Sequence, residues 1–416
     1  MPVLIAARVG VYEGEESRFV PGGNPMKKTF EQISQLLDGC TRTAFQLTRR
    51  EMFRKALAGG AAITAGSLLG VGKEAHASHD DGEGDVATSL VPAAAGGPEP
   101  SDRHALSVRW LGCSCFELVY RHQVILLDAW YDRPLCRDIG LIPEQVTRAN
   151  VILVGHAHFD HIADAASIAQ RTGAIVIADR IGTGVLASLG LPSSQYRTVN
   201  GLGGEVFRFP GFTVEVILAH HSVGPTGVNP EGETAGQELI DAYLALTTFA
   251  PDDLATAQVV TTRGSFDPLI LTEGTMAYLL TLESGYRVMW LDSGGPIVDT
   301  MVAVMERVRS TNLAMVGYQV QVVPRFQVPP TLALAQLFNP EDLFLPSHHD
   351  ELITSIDGVN PTVLPDMATE PLFIAMRDAM PRTQTFSPIY RTPVVINTRT
   401  GDFVSGSLRS SRRRED

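Results

Sequence analysis

Between residues 104 and 404, short apolar runs alternate with helical patterns and with connections rich in turn-forming residues. The runs ALSVRWLGCSCFELVY and QVILLDAW are rich in Val, Ile, Leu and aromatic residues, and they predict a pair of strands. The continuous apolar runs ANVILVGH and AIVIAD are typical of strands that are buried on both faces. Between them, ADAASIAQRTG has the apolar spacing of a helix, which stops at Gly173.

The same alternation returns in the second half of this region. GEVFRFPGFTVEVILAHH predicts a hairpin that turns at Pro210 and Gly211, and MAYLLTLESGYRVMWLDSGG predicts another that turns at Ser284 and Gly285. IVDTMVAVMERVRST has the spacing of an amphipathic helix, and LAMVGYQV and EDLFLPSHH end the region as buried strands. Strand-rich halves that alternate with helices predict a layered α/β domain.

The first hundred residues have a different pattern. The basic segment TRREMFRK precedes the weakly apolar stretch ALAGGAAITAGSLLGVG and the small-residue site AHA, and this order is typical of a secretory signal. The pair Arg49 and Arg50, followed by Phe53 and Lys55, resembles a bacterial twin-arginine signal. A short anchoring or buried helix is the alternative, but about 17 residues with five glycines are marginal for spanning a bilayer.

These patterns divide the chain into four predicted parts. Residues 1–77 form an N-terminal extension with the twin-arginine-type signal, and residues 78–103, rich in Gly, Pro, Ala and acidic residues, form a flexible linker. Residues 104–404 form the folded domain, and residues 405–416 form a polar tail. We therefore expect the twin-arginine export machinery as a partner, and a location in the periplasm or outside a bacterial cell.

Composition narrows the classes of function. The chain has 416 residues, enough for one large domain or two ordinary ones, and 44% of them are hydrophobic. The formal net charge of -13 argues against nucleic acid as a partner, because such a surface needs a basic patch. Four cysteines are too few for a disulfide scaffold, and no CxxC pair is present. We expect Cys113 and Cys115 to share one side of the first strand as small buried residues, the alternative being a disulfide from either one to Cys136.

The segment VILVGHAHFDHIAD concentrates side chains that bind metals. A buried strand ends just before His156, and the loop beyond the strand carries His156, His158, Asp160 and His161. Because His156 and His158 are two residues apart in extended backbone, their side chains point the same way, and Asp160 and His161 follow as the chain turns into a helix. Imidazole nitrogens and a carboxylate that converge in this way suit zinc or a similar divalent metal.

Other strand ends carry the same residue types. Seven of the 11 histidines fall at three strand ends, and the second and third of these ends carry the pairs His220-His221 and His348-His349. Since neighbours on a strand point to opposite faces, we expect one member of each pair to be a ligand. Asp292 ends another apolar strand before Ser-Gly-Gly and is well placed to reach a metal, the alternative being a turn or helix-capping aspartate.

The chain resembles the metallo-β-lactamase-fold hydrolases over roughly residues 106–395, and HAHFDH is the motif that carries the resemblance. VRWLGCSCFELVYRHQVILLDAW also looks like the opening hairpin of that family, with Asp128 at the position of an early structural aspartate. Within the superfamily, the chain looks most like the branch of the ascorbate-phosphate lactonases and the N-acyl-phosphatidylethanolamine phospholipases D. The resemblance implies a four-layer αββα sandwich with a dimetal site at the edge of the sheets.

The resemblance also selects among the paired histidines. In that branch the third histidine follows an alanine and one further residue, which selects His221, and the last histidine lies two residues after a proline, which selects His348. The chain departs from the family at His349 and Asp350, where an aromatic residue and a glycine are usual. His349 therefore stays as the second choice for the last ligand.

Two metal ions follow from the resemblance, with zinc as the first expectation and manganese or iron as alternatives. It assigns two ligand sets and one bridging carboxylate: His156, His158 and His221 for one metal, Asp160, His161 and His348 for the other, and Asp292 between them. Two adjacent cations lower the pKa of a shared water and polarise a substrate oxygen. Asp160 and Asp292 are therefore the candidate catalytic residues, Asp160 by orienting the attacking water; the chain has no GxSxG nucleophile motif.

We therefore expect an exported metal-dependent hydrolase that cleaves an ester, lactone, amide or phosphodiester in a small-molecule or lipid-like substrate. Flavo-diiron proteins carry glutamate where this chain has His158, and many zinc β-lactamases carry cysteine near the position of Asp292, so both classes fit less well. The alternatives are a mononuclear iron enzyme similar to the persulfide dioxygenases and a non-catalytic metal-binding module.

The segment from Val223 to Glu273 is longer than an ordinary connection between strands. It leaves just after His221 and returns just before the strand that leads to Asp292, so both of its ends are anchored near the metals. We expect this segment to cover the metal cleft as a lid that selects an apolar group of the substrate. The alternative is an outer decoration that packs away from the site.

Overall fold

Two β-sheets lie face to face between layers of helices in the computed structural model of this protein. The structure describes residues 90–131, 141–222, 262–318, 324–350, 365–404 and 408–409. All of these residues belong to the second of the two units into which the chain divides, Asp80–Asp416. The proposed signal around Arg49 and Arg50, Cys136, and residues 223–261 of the predicted lid lie outside the described residues.

The strands and helices of the described residues have the following bounds. The strands are β1 (Glu99–Pro100), β2 (Ala105–Trp110), β3 (Phe116–Tyr120), β4 (Gln123–Leu127), β5 (Val151–Leu153), β6 (Ile175–Ala178), β7 (Tyr196–Thr198), β8 (Val206–Phe209), β9 (Phe212–Ala219), β10 (Thr275–Leu282), β11 (Arg287–Leu291), β12 (Thr311–Gly317), β13 (Pro340–Ser347), β14 (Gln384–Thr385), β15 (Pro393–Asn397) and β16 (Leu408–Arg409). The α-helices are α1 (Phe159–Ile162), α2 (Ala165–Thr172), α3 (Arg180–Ser188), α4 (Asp299–Val308), α5 (Pro324–Phe338) and α6 (Pro365–Ala379). Short 3-10 turns are formed by Ala93–Ala95, Pro143–Gln145, Ser193–Gln195 and Pro268–Leu271.

Each large sheet combines an antiparallel and a parallel part. The first sheet has the order β15-β2-β3-β4-β5-β6-β7, and its pairs from β4 to β7 are parallel. The second has the order β14-β13-β12-β11-β10-β9-β8, and its pairs from β11 to β14 are parallel. Strand β9 is antiparallel to β10, which is antiparallel to β11, so β9 and β11 run in the same direction.

Three apolar layers hold the four structural layers together. Alternate residues of β10 point to opposite faces: Tyr278 and Leu280 pack between the two sheets, whereas Ala277 and Leu279 pack against the outer helices. On the far side of the first sheet, Ile152 packs against α2 and α3. The strands are apolar on both faces because both faces are covered, which confirms the predicted αββα sandwich.

The structure corrects two local expectations. The run ALSVRWLGCSCFELVY forms two antiparallel strands, β2 and β3, because the chain reverses at Gly112 and Cys113, whose φ angles of 96° and 50° are left-handed. Cys113 and Cys115 therefore lie in the connecting loop and not on one side of a strand. Within the described residues neither of them forms a disulfide.

Two expectations about the boundaries of the folded domain also change. Residues 93–100 were expected in a linker, but Ala93 and Ala94 are buried and β1 pairs with β16, in the expected tail. The folded domain thus extends further in both directions than the sequence pattern indicates. In the part of the chain that the structure describes, none of the helices has the length and apolar content that a bilayer span requires.

Candidate metal centre

The candidate ligands follow the carboxyl ends of strands, and three of these strands, β9, β11 and β13, run in the same direction within the second sheet. His156 follows β5, His221 follows β9, Asp292 follows β11 and His348 follows β13. Because parallel strands end at the same edge of a sheet, and the two sheets face each other, these side chains gather at one edge of the sandwich. Loops at strand ends on a rigid scaffold are where binding and catalytic residues concentrate.

The first cluster consists of His156, His158 and His221. Their ring centroids lie 4.5 to 4.9 Å apart in all three pairs. His156 Nε2 lies 2.8 Å from His158 Nδ1, and His221 Nδ1 donates to the carbonyl oxygen of Ser222 at 2.7 Å. That hydrogen bond leaves Nε2 of His221 as the nitrogen that is available to a metal. Each histidine offers one nitrogen to a common point, and these atoms lie within 4.8 Å of one another.

The second cluster brings Asp160, His161 and His348 together with Cys113. The Oδ2 atom of Asp160 lies 3.3 Å from His161 Nε2, 3.1 Å from His348 Nε2 and 3.8 Å from Cys113 Sγ. Asp160 and His161 lie on the one-turn helix α1, which carries them past the first cluster. The thiol of Cys113 belongs to this cluster, although the sequence pattern indicated only a small buried residue.

Asp292 lies between the two clusters. Its Oδ2 atom accepts a hydrogen bond from His156 Nδ1 at 2.5 Å and lies 3.2 Å from His161 Nδ1. Its Oδ1 atom is buried and has no hydrogen-bond partner within the described residues. The backbone makes room for this carboxylate at Gly155, where a Cβ atom would lie 2.0 Å from Asp292 Oδ2. A buried carboxylate oxygen without a partner is costly, and a cation would satisfy it.

Asp128 and Ser114 orient His161. Asp128 Oδ2 accepts hydrogen bonds from His161 Nδ1 at 2.6 Å and from Ser114 Oγ at 2.5 Å, and Asp128 Oδ1 accepts from the backbone N–H of Gly155 at 2.8 Å. A carboxylate on Nδ1 fixes the ring so that Nε2 faces the metal. The resemblance indicated a structural role for Asp128, whereas Ser114 was missed because its contact depends on the turn between β2 and β3.

The structure brings one member of each histidine pair to the centre. His221 joins the first cluster and His348 joins the second, and neither His220 nor His349 is part of a described cluster. The ring of His349 instead packs on Trp110, with centroids 4.2 Å apart. Burial lowers the pKa of His349 to about 4, so this ring is neutral. Whether the clustered residues bind a metal stays a prediction that their geometry favours.

Burial and neighbouring charges shift the pKa values of the site histidines in different directions. Burial lowers the pKa values of His156 and His158 well below their usual range, which keeps both rings neutral, as metal ligands must be. Burial acts in the same direction on His161, but the carboxylates of Asp160, Asp128 and Asp292 outweigh it and raise the pKa well above its usual range. The raised pKa favours the charged form of His161, which lies against the carboxyl groups of these three aspartates.

The residues present fit a divalent metal. Tetrahedral zinc with ordinary bond lengths places nitrogen and oxygen ligands about 3.3 Å apart. The distances of 3.3 Å and 3.1 Å from Asp160 Oδ2 to the nitrogens of His161 and His348 match this spacing. The donor set of imidazoles, carboxylates and a thiol suits zinc better than magnesium or calcium, which prefer oxygen alone.

The described end of the predicted lid lies against the metal-binding loop. The N–H of Ser265 donates to the carbonyl of Ala157 at 2.8 Å. The ring of Phe266 lies 5.6 Å from the ring of His158, between centroids, and 47% of Phe266 is exposed. Residues 262–273 thus border the first cluster, as the anchoring argument predicts, while the rest of the lid lies outside the described residues.

Known proteins show similarity to this chain over part of its length. Residues 123–274 match the family described as "Beta-lactamase superfamily domain". A "UPF0173 metal-dependent hydrolase" of Myxococcus xanthus is 32% identical over 164 residues, which are 39% of this chain and 53% of that protein. Another, of Symbiobacterium thermophilum, is 36% identical over 123 residues, 29% of this chain and 51% of that protein. The chain thus spans about half the length of these curated relatives.

Among solved structures, Igni18 is similar; it is described as a novel metallo hydrolase from the archaeon Ignicoccus hospitalis. The TM-score is 0.44 at 16% sequence identity, and the match covers 70% of this chain and 98% of Igni18. The names of the relatives agree with the enzyme class that the sequence predicts. Residues 123–274 are thus similar to a β-lactamase superfamily domain, and the two sheets with their outer helices form the αββα sandwich that this similarity implies.

Proposed function

We propose that this chain is a metal-dependent hydrolase that uses two adjacent divalent cations, zinc by preference, to cleave an ester, lactone, amide or phosphodiester. The observation that carries the proposal is the position of Asp292, whose Oδ2 atom reaches His156 of the first cluster and His161 of the second. The names of the relatives, which are metal-dependent hydrolases, support the same class.

Each candidate residue would have a defined role in metal binding or hydrolysis. Two adjacent cations, when bound, supply Lewis acidity that lowers the pKa of a shared water and stabilises charge on the substrate oxygen. His156, His158 and His221 would hold one cation, while Asp160, His161 and His348 would hold the other. Asp292 would supply the carboxylate that lies between the two clusters, and Asp128 would hold His161 in the tautomer that binds metal through Nε2.

Asp160 would orient the attacking water. Burial alone would raise its pKa, but the charge of His161 and the hydrogen bonds from His161 and His348 hold the pKa well below its usual range. The lowered pKa favours the ionised carboxylate, which can accept a hydrogen bond from water. A water molecule held in this way reacts with the bound substrate within one complex, so the entropy cost of bringing the two together is already met.

The rim of the site supports a substrate with an apolar part. Phe266, Leu269 and Leu271 are all partly exposed on the segment that borders the first cluster. The N–H of His221 donates to the carbonyl of Leu271 at 3.0 Å, which ties this segment to a ligand. We propose that the site takes a small-molecule or lipid-like substrate whose apolar group lies against this rim.

The test is hydrolysis by zinc-loaded protein across a panel of phosphodiester, lactone, ester, amide and thioester substrates. We expect turnover of at least one class, and a loss of roughly 100-fold or more in Asp160→Asn. His122→Gln is the control, since His122 is exposed and pairs with Glu99. Retained metal without turnover of any class would favour a non-catalytic metal-binding module. Oxygen consumption with a persulfide, and with iron as the bound metal, would favour the dioxygenase alternative.

We also propose export through the twin-arginine route, which carries folded proteins and so suits an enzyme that binds its metal before transport. The support is the order TRREMFRK, ALAGGAAITAGSLLGVG and AHA in the sequence. Replacing Arg49 and Arg50 by Lys should trap the precursor in the cytoplasm of a bacterial host. A double variant that is still processed to an N-terminus near Ser78 would show that the signal was misidentified.

A further inference from the structure

Cys113 contributes a sulfur atom to the second cluster. Its side chain is fully buried, and its Sγ atom lies 3.8 Å from Asp160 Oδ2. The ligand atoms of Cys113, Asp160, His161 and His348 all lie within 4.8 Å of one another. The first cluster, by contrast, contains only imidazoles.

The spacing around Asp160 matches four-coordinate zinc with one sulfur ligand. With zinc–sulfur and zinc–oxygen bonds of ordinary length, tetrahedral geometry separates sulfur and oxygen by about 3.6 Å. The observed separation is 3.8 Å, and the two separations from Asp160 Oδ2 to histidine nitrogens are 3.3 and 3.1 Å. One oxygen atom thus has two nitrogens and one sulfur at the distances that a shared metal would impose.

The loop that carries Cys113 is hydrogen-bonded to the loop that carries His348. The carbonyl oxygen of Cys113 accepts from the N–H of His348 at 2.9 Å and from Trp110 Nε1 at 2.7 Å. The N–H of Cys113 donates to both carboxylate oxygens of Asp350, at 3.1 Å each. These bonds hold the left-handed backbone of Cys113, φ 50°, in place.

The same bonds explain why His349 and Asp350 replace the aromatic residue and glycine that are usual after the last histidine. Asp350 receives the N–H of Cys113, and the ring of His349 packs on Trp110, the last residue of the strand before this loop. A glycine in place of Asp350 would leave the N–H of Cys113 without that carboxylate. The unusual pair and the cysteine therefore form one structural unit.

We infer that Cys113 is a further protein ligand of the second metal beside Asp160, His161 and His348, and that its sulfur makes this site select zinc over manganese. Thiolate is a soft ligand that zinc accepts, whereas manganese prefers oxygen. The inference rests on the metal centre of the proposed function but does not depend on hydrolysis. It assigns Cys113, Asp160, His161 and His348 to the second metal, whereas the first metal has only histidines besides the shared carboxylate of Asp292. The second site would therefore have softer ligands than the first.

Cobalt(II) tests this directly, because a thiolate bound to cobalt gives an intense charge-transfer absorption band in the near ultraviolet. The metal-free full-length chain is titrated with cobalt chloride and followed by absorption, with cobalt counted separately by elemental analysis. We expect two cobalt ions per chain and the thiolate band in the wild type. The band should vanish in Cys113→Ser and persist in Cys115→Ser, since Cys115 Sγ contacts the backbone of Trp130 instead.

Zinc affinity gives a second readout that is independent of activity. Competition with a chelator should show the second zinc weakened in Cys113→Ser by more than the roughly 10- to 100-fold that loss of an outer-shell partner costs. The first zinc should keep its affinity, which also shows that the variant is folded.

Other outcomes separate the inference from the proposed function. Two cobalt ions in the wild type without a thiolate band would overturn the role of Cys113 and leave the dimetal hydrolase standing. A band that survives in Cys113→Ser would belong to another thiol and would also overturn it. Binding of one cobalt or none would overturn the second metal itself, and with it both proposals.

Discussion

At the residue scale, we expect Asp128 to affect metal binding through His161. Its carboxylate accepts hydrogen bonds from His161 Nδ1 and Ser114 Oγ, and it touches no other candidate ligand of the second cluster at such short range. We expect Asp128→Asn to weaken the second metal about 10- to 100-fold and to spare the first, because the ring of His161 loses its fixed tautomer. Asp267→Asn, which alters an aspartate that caps the turn Pro268–Leu271, is the control. Equal zinc affinities in Asp128→Asn and the wild type, measured by chelator competition, would contradict this role.

His221 provides a pH test in the metal-free protein. Burial lowers the pKa of His221 below its usual value of 6.5, so as the pH falls through 6.5 the unfolded chain takes up a proton that the folded chain does not. Stability therefore decreases with falling pH, and this contribution disappears in His221→Asn. Urea unfolding in EDTA between about pH 7.5 and 5.5 should give a shallower pH dependence for the variant. Because the other site histidines titrate in both proteins, parallel curves would show that His221 is not buried as a neutral ring.

The ligands differ in how far the sequence could predict them. The motif HAHFDH supplies four candidate metal ligands within six residues, so the sequence alone predicts the position of the centre. The choice of His221 and His348 over their neighbours came from resemblance, since alternation along a strand gives only one of two. Cys113 could not be found in this way, because its approach to Asp160 depends on the left-handed turn at Gly112 and Cys113.

At the element scale, the strands were predicted better than the helices, and it is the ends of strands that position the site. The apolar runs predict most strands, and α2 ends at Gly173, whose φ of 77° is typical of a glycine that terminates a helix. Helices α5 and α6 were not predicted, because Pro329, Pro330 and Pro371 lie inside them and interrupt the helical pattern. Packing of α5 and α6 on the second sheet overrides that local penalty.

The buried ion pair between β2 and β3 fixes the N-terminal edge of the domain. Arg109 Nη1 lies 2.6 Å from Glu117 Oε1, both side chains are fully buried, and Glu117 also accepts the N–H groups of Ala93 and Ala94. We expect Glu117→Ala to lower the free energy of unfolding by about 3–5 kcal/mol, because it leaves a buried guanidinium without its partner. The double variant Arg109→Met, Glu117→Leu should recover part of this loss. A loss below about 1 kcal/mol in urea unfolding of the single variant would show that the pair is dispensable.

The rim segment gives a prediction about the substrate. Phe266 packs against His158 and is partly exposed, so its removal takes apolar contact from a bound substrate. Phe266→Ala should raise KM about tenfold for substrates with an apolar group while the metal content stays the same. Phe403→Ala is the matched control, because Phe403 is exposed to a similar extent but contacts Phe386. If Phe266→Ala leaves the order of preference among the hydrolysis substrates unchanged, the result would favour the alternative that the predicted lid is an outer decoration packed away from the site.

At the scale of the whole molecule, the candidate ligands come from both halves of the sandwich. The first sheet supplies His156, His158, Asp160 and His161 through the loop after β5, and the second supplies His221, Asp292 and His348. Each cluster takes ligands from both sheets, so the centre exists only in the folded domain. The sequence predicts this arrangement because each ligand follows an apolar strand, whereas the distances within it depend on how the two sheets pack.

The number of metals per chain tests the account most directly. Elemental analysis of the purified full-length chain should give about two divalent metals in the wild type. Asp292→Ala should bind about one metal and lose most hydrolysis, because Asp292 is the contact between His156 and His161. A single tightly bound metal in the wild type, with hydrolysis intact in Asp292→Ala, would contradict the dimetal mechanism.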